Sequence, residues 1–277
     1  MNKLLMAAFL IAAFAIATVP ARAGNIALTG HDDDYHCSYD VSACTQLGAL
    51  VNYARGGSSL PVLTFDAGSE LTSSLTGLGI SFTNVNPNGT VTASMFDHSV
   101  YSAFIVASDS SCGGCDNSPA GEANIAAQSA AIEAFLNAGG GIVGLAGADS
   151  PGYYSFVPQT ASSVGGAPSD GYSQTAAGAS AGIPAVNGDA THNLFYNPGT
   201  NGESSFYQIA ELNTLSGNGV ILPPAAVTLI CTDCTTSGGV IIGGGGGEVP
   251  EPSSFILLGS GLVGCLSTLK RRFSARA

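Results

Sequence analysis

The sequence predicts an α/β fold, an open and mostly parallel sheet with helices on both faces. Its strand candidates are short and apolar throughout, as in Ser102-Ala103-Phe104-Ile105-Val106-Ala107-Ser108, the pattern of strands buried on both faces. They alternate with stretches of helical periodicity, which is the order that builds a parallel sheet. Acidic residues and histidines gather just beyond several strand ends, where such sheets bind their ligands.

Taken in order, the chain opens with a strand over 25–29 that runs into Gly30-His31-Asp32-Asp33-Asp34-Tyr35-His36. A helix follows over 43–55, with Leu47, Leu50, Val51 and Ala54 at helical spacing and Gly56-Gly57 as its stop. Residues 61–65 form a second strand ending at Asp66, 70–78 a short helix, and 80–85 a third strand closed by the Asn88-Gly89 turn. The strand over 102–108 ends at Asp109. Past the loop that holds Cys112 and Cys115, residues 122–137 have the clearest helical pattern, with Ile125, Ile132, Phe135 and Leu136 aligned and Gly139-Gly140-Gly141 as stop. A strand over 142–145 leads into Ala146-Gly147-Ala148-Asp149. Residues 153–181, rich in Gly, Ser and Ala without a clear period, read as a long loop or lid with small elements. Residues 183–189 and 191–196 are denser in aliphatic and aromatic side chains, and 206–211, 220–222 and 227–231 supply late strands.

The two ends carry addresses rather than fold. Lys3, an apolar core over 4–19 and Ala21-Arg22-Ala23 make residues 1–23 a secretory signal peptide. The exported α/β domain then spans 24–235, and a Gly-rich linker covers 236–248. The tail, 249–277, contains Pro250-Glu251-Pro252, an apolar stretch over 255–269 and the basic cluster Lys270-Arg271-Arg272. As a helix that stretch is roughly 22 Å long, short of a ~30 Å hydrocarbon core and so marginal as a permanent transmembrane span. Its basic end stays cytoplasmic, which leaves everything before it outside the inner membrane. The triplet, apolar run and basic cluster, in this order, resemble the PEP-CTERM sorting signal of exopolysaccharide-producing Gram-negative bacteria. The resemblance implies a transient membrane anchor, recognition by an exosortase with cleavage near the triplet, and delivery to the outer surface or extracellular matrix. The alternative is an ordinary C-terminal anchor helix.

Residues 24–247 hold seventeen acidic side chains against a single base, Arg55, a net charge of −16 with the histidines neutral. Nucleic-acid binding needs a basic face and is excluded. Such a surface suits divalent cations or a hydrated polysaccharide matrix, and it also serves solubility. Six cysteines of the exported domain form close couples, Cys37 with Cys44, Cys112 with Cys115 and Cys231 with Cys234. In an exported chain these read as structural disulfides, most simply paired within each couple. The two CxxC couples leave a tetrathiolate zinc site or a redox motif as alternatives.

The opening strand with its G-H-D-x-D-x-H loop, the SAFIVASD strand, the helix into NAGGGIVGLAG and the later AGIPAVNGDATHN resemble the class I glutamine amidotransferase-like fold, which is flavodoxin-like. The trehalose-utilisation-protein-like (ThuA-like) branch is the comparison. The resemblance implies a nucleophilic cysteine on the turn after the strand over 142–145. This chain has Ala146 there, which removes the nucleophile and argues against catalysis.

Chemistry centres on His31, Asp32, Asp34 and His36, whose imidazoles and carboxylates within six residues suit a divalent metal. Structural capping of the following helix is the competing reading. His192 is expected to return to the same rim, and Asp109 with Asp149 is a candidate acid–base pair. Three functions follow: a sorted, non-catalytic surface domain binding carbohydrate or a cation, a metal-dependent hydrolase or sugar-modifying enzyme using the His31–His36 loop, or a thiol–disulfide protein.

Overall fold

A computed structural model describes residues 23–150, 152–188, 190–214, 226–237 and 240–243. The expected signal peptide up to residue 22, the strand over 220–222, most of the linker and the whole sorting tail, with Pro250, Glu251 and Pro252, lie outside the described residues. Contacts divide the chain at Gly245, and every described residue belongs to the first unit. Among the described residues no helix is long and apolar enough to cross a membrane.

The elements are β1 (Gly24–Thr29), α1 (Asp33–His36), α2 (Val41–Arg55), β2 (Val62–Phe65), α3 (Glu70–Gly77), β3 (Phe82–Val85), β4 (Ala103–Val106), α4 (Pro119–Ala126), α5 (Ser129–Asn137), β5 (Gly141–Gly144), β6 (Ser163–Gly165), β7 (Tyr172–Gln174), α6 (Ala176–Ala181), β8 (Asn193–Phe195), β9 (Gln208–Asn213), β10 (Ala226–Ser237) and β11 (Val240–Gly243). Short 3₁₀ turns stand at Ala93–Met95, Ser110–Cys112 and Tyr153–Phe156. One sheet runs β3-β2-β4-β5-β1-β10-β8-β6, with β9 bridging β10 and β7 and with β11 on β10.

The α/β class is as expected, with two corrections of detail. The stretch from β3 to β1 is parallel throughout, but β10 pairs antiparallel with β1, and the strands beyond it continue antiparallel. The sheet is therefore mixed rather than mostly parallel. Among the described residues α6, of six residues, is the one helix between the late strands, and it is too short to cover a sheet face as a crossover helix does. The parallel strands also stand in the order 3-2-4-5-1, whereas a flavodoxin-like sheet reads 2-1-3-4-5. Here β1 lies beside β5, and α2 crosses β5 and β4 on its way to β2.

The helices form where their ends are satisfied. Asp40 caps α2 by accepting from the Ser42 N–H at 2.8 Å, and Gly56 ends it in the left-handed region at φ 57°. The expected single helix over 122–137 is two, α4 and α5. Ser118 and Pro119 start α4 early, and between the two the Gln128 side chain donates to the Val91 carbonyl at 3.2 Å. The region expected as a long loop or lid with small elements over 153–181 contains β6, β7 and α6, of three, three and six residues.

Apolar side chains cover both sheet faces. Leu47, Leu50 and Val51 of α2 and Leu71 and Leu75 of α3 pack with Ile105 and Val143 on one face. Phe65, Phe104, Ile132, Phe135 and Phe156 fill the other. This double cover fixes the strand ends and so the loops that leave them.

Candidate functional site

The carboxyl ends of β1, β4 and β5 lie side by side in the sheet, so Gly30 to His36, Ser108-Asp109 and Leu145-Ala146 meet at one edge. A second connection closes this edge from outside. His31 and Thr191 form an isolated antiparallel bridge, the Asp32 N–H donates to the Ala190 carbonyl at 2.8 Å, and the His192 N–H donates to Gly30 at 2.9 Å. This bridge brings His192 to the first loop, as the sequence suggests.

Asp32, His36 and His192 come together. The Asp32 Oδ2 atom is 3.1 Å from His192 Nε2 and 3.4 Å from His36 Nε2. The ligand atoms of all three residues lie within 4.8 Å of one another. Asp32 is only 1% exposed, and its second oxygen, Oδ1, is buried without a hydrogen-bond partner. His192 Nε2 is close to Oδ2 yet is not aligned to hydrogen-bond with it. Asp32 and His36 flank the single turn α1 at i and i+4, which puts them on one helical face. His192 is the open member, its side chain 25% exposed.

The other two members of the expected metal set have different partners. His31 is fully buried, with Nε2 2.9 Å from Glu211 Oε2 and Nδ1 2.7 Å from Thr191 Oγ1. Glu211 also accepts from Gln46 Nε2 and Thr228 Oγ1, each at 2.9 Å, and from the Val186 N–H at 2.7 Å. His31 thus belongs to a buried network that ties β1, α2, β9 and β10 together. The Asp34 carboxylate accepts from the Ser108 N–H at 2.8 Å and the Ser108 hydroxyl at 2.6 Å, tying the loop to the end of β4. Burial pushes the Asp34 carboxyl up to about 7 against those hydrogen bonds. Asp33 is buried with both oxygens unpartnered. Burial first, then the charges of Glu211, Asp32, Asp34 and Asp40, hold its carboxyl well above the usual range.

Asp109 and Asp149 do not pair. Asp149 is exposed, and it meets Asp109 only through Ser111, whose hydroxyl donates to Asp109 Oδ1 and accepts from the Asp149 N–H. The carboxyl that faces Asp109 is Glu122. Burial, then the hydrogen bond to Asp109 and its charge, push Glu122 up to about 10. Glu122 and Glu211 carry no sequence signal. One lies in the first turn of α4 and the other in a short late strand, and both become significant only through tertiary contact.

Ala146 is buried and offers a methyl group and a backbone N–H, which donates to Ser108 Oγ at 3.2 Å. The next two N–H groups, of Gly147 and of Ala148 at φ 42°, both donate to Asn193 Oδ1, at 2.8 and 3.1 Å. The turn therefore holds no nucleophile, and its N–H donors are filled by a side chain. The six cysteines are paired at disulfide distance, Cys37–Cys44, Cys112–Cys115 and Cys231–Cys234. A groove of about 510 Å³ along α2, lined by Thr45, Asn52, Tyr53 and Leu78 among others, does not include the cluster.

Residues 248–272 match the PEP-CTERM protein-sorting motif. The chain is accordingly an exported protein directed to the cell surface and processed by an exosortase. No curated protein and no solved structure matches the chain. The amidotransferase-like resemblance of the domain thus stands on its sequence alone.

Proposed function

We propose that the exported domain is a non-catalytic binding module of the outer surface or exopolysaccharide layer, which holds a divalent transition metal with Asp32, His36 and His192. The observation that supports this reading is the convergence of three ligand atoms within 4.8 Å on a carboxylate whose other oxygen is buried and unpartnered. A buried carboxylate without full compensation is costly. Two imidazoles and one carboxylate form a donor set suited to zinc and its first-row neighbours rather than to calcium or magnesium. A divalent metal held there would offset part of the formal charge of −16 that residues 24–247 carry.

Absence of catalysis is supported by Ala146, which has no nucleophilic side chain. A metal-dependent hydrolase is the second reading, favoured by the partial exposure of His192, the most open of the three residues. Calorimetric titration of zinc into the exported, metal-stripped protein tests both readings. The expected result is one zinc per chain, with affinity reduced at least about tenfold in Asp32→Asn. Equal affinity in that variant refutes the site. Glycoside turnover by the zinc-loaded protein that disappears in His192→Ala establishes the enzymatic reading instead.

A further inference from the structure

The Cys112–Cys115 bridge lies against the same carboxylate that gathers the two imidazoles. Cys115 Sγ is 3.6 Å from Asp32 Oδ2, and the ligand atoms of Asp32, Cys112 and Cys115 lie within 4.8 Å of one another. A disulfide sulfur has no proton to donate, so this contact gives Asp32 no hydrogen bond. Two glycines hold the turn in place. Gly113 adopts φ 93°, and a Cβ on Gly114 would fall 2.5 Å from the Tyr35 ring, next to His36 in the chain. The second CxxC couple, Cys231–Cys234, lies in β10, and among the described residues it belongs to no such cluster.

We infer that Cys112 and Cys115 are the redox-governed second half of the metal site. When the bridge is opened, both sulfurs join Asp32, the ligand they share with the two imidazoles, and draw the metal into a thiolate site for zinc or a softer ion. This rests on the reading of Asp32, His36 and His192 as ligands. In the opening step a dithiol passes two electrons and two protons to the bridge and itself becomes a disulfide. The two thiols then release two protons to solvent as two metal–sulfur bonds form. The C-x-x-C spacing is that of a chelating thiolate pair.

Cobalt(II) added to the full exported chain, before and after treatment with a non-chelating phosphine, separates the two readings. Oxidised protein is expected to bind cobalt without a thiolate-to-cobalt charge-transfer band. Reduced protein is expected to show the band and to bind zinc at least about tenfold more tightly. Cys112→Ser/Cys115→Ser keeps the oxidised-type affinity and loses both effects, whereas Cys231→Ser/Cys234→Ser retains them. Cobalt binding that is unchanged by reduction overturns the thiolate inference and leaves the Asp32 site standing. Binding by the reduced form alone, with the band, supports the inference and refutes the imidazole site as sufficient. Alkylation mapped by mass spectrometry gives a second readout should reduction loosen the fold. Zinc is expected to protect Cys112 and Cys115 but not Cys231 and Cys234, and equal protection of both couples, or of neither, overturns the proposal.

Discussion

Glu122 makes the stability of the domain depend on pH in a direction opposite to that of most carboxylates. Buried against Asp109, its carboxyl is pushed up to about 10, whereas in an unfolded chain it titrates near ~4.3. Between these limits the folded state keeps a proton that the unfolded state has released. Unfolding therefore sheds a proton, and stability falls as pH rises across that window. One such group sets a ceiling of about 1.4 kcal/mol per pH unit, so roughly 2.7 kcal/mol between pH 6 and pH 8. Local relaxation lowers this, and about 1–2 kcal/mol is the expected loss. Glu122→Gln mimics the protonated form, keeps a donor for Asp109 and removes the titration. Urea unfolding of wild type and variant at pH 6, 7 and 8 reads the effect. The variant's stability should be nearly unchanged by this group, so its advantage over the wild type should grow by about 1–2 kcal/mol between pH 6 and pH 8. Parallel pH profiles would refute the assignment of a retained proton to Glu122.

Three further outcomes follow from other contacts. Glu211→Ala leaves four buried donors, from His31, Gln46, Thr228 and Val186, without their acceptor. It should cost about 3–5 kcal/mol in chemical denaturation, whereas a mere surface carboxylate would cost under ~0.5. Cys37→Ser/Cys44→Ser opens a short covalent loop beside His36 and should lower stability by about 2.5 kcal/mol, measured against wild type in non-reducing urea. Phe104→Ala removes a ring that touches Phe65, Phe96, Phe135 and Phe156, and a loss of about 3–5 kcal/mol is expected in thermal or urea unfolding.

Much of the parallel half of the fold is legible in the sequence because its central strands are short, mainly apolar runs between a helix stop and a polar loop. β4 and β5 are the clearest cases, since burial on both faces leaves no other residue pattern available. The antiparallel half is not legible. β6, β7 and β8 have three residues each, too few to show a period, and their pairing depends on β10, which offers its edges to several partners. The strand order is hidden as well, because nothing in α2 says how many strands it crosses.

At the candidate site the sequence singles out one loop, and the structure divides that loop's residues between two sets of partners. His31 ends a strand and points into the Glu211 network. Asp32 and His36, four apart across one helical turn, share a face, and that spacing is the signal that separates them from their neighbours. His192 shows only as a histidine near a distant loop, since its position depends on the bridge between His31 and Thr191. Asp109 takes Glu122 rather than Asp149 as its partner because Ser118 and Pro119 begin α4 early enough to place Glu122 in its first turn.

The most direct test of the account is the metal content of the protein as isolated after export through an oxidising compartment, by elemental analysis of wild type and His36→Ala/His192→Ala. The account predicts about one zinc-class ion per wild-type chain and almost none in the variant, with circular dichroism showing both folded. A folded wild-type protein without metal, or equal metal in the two proteins, would contradict it.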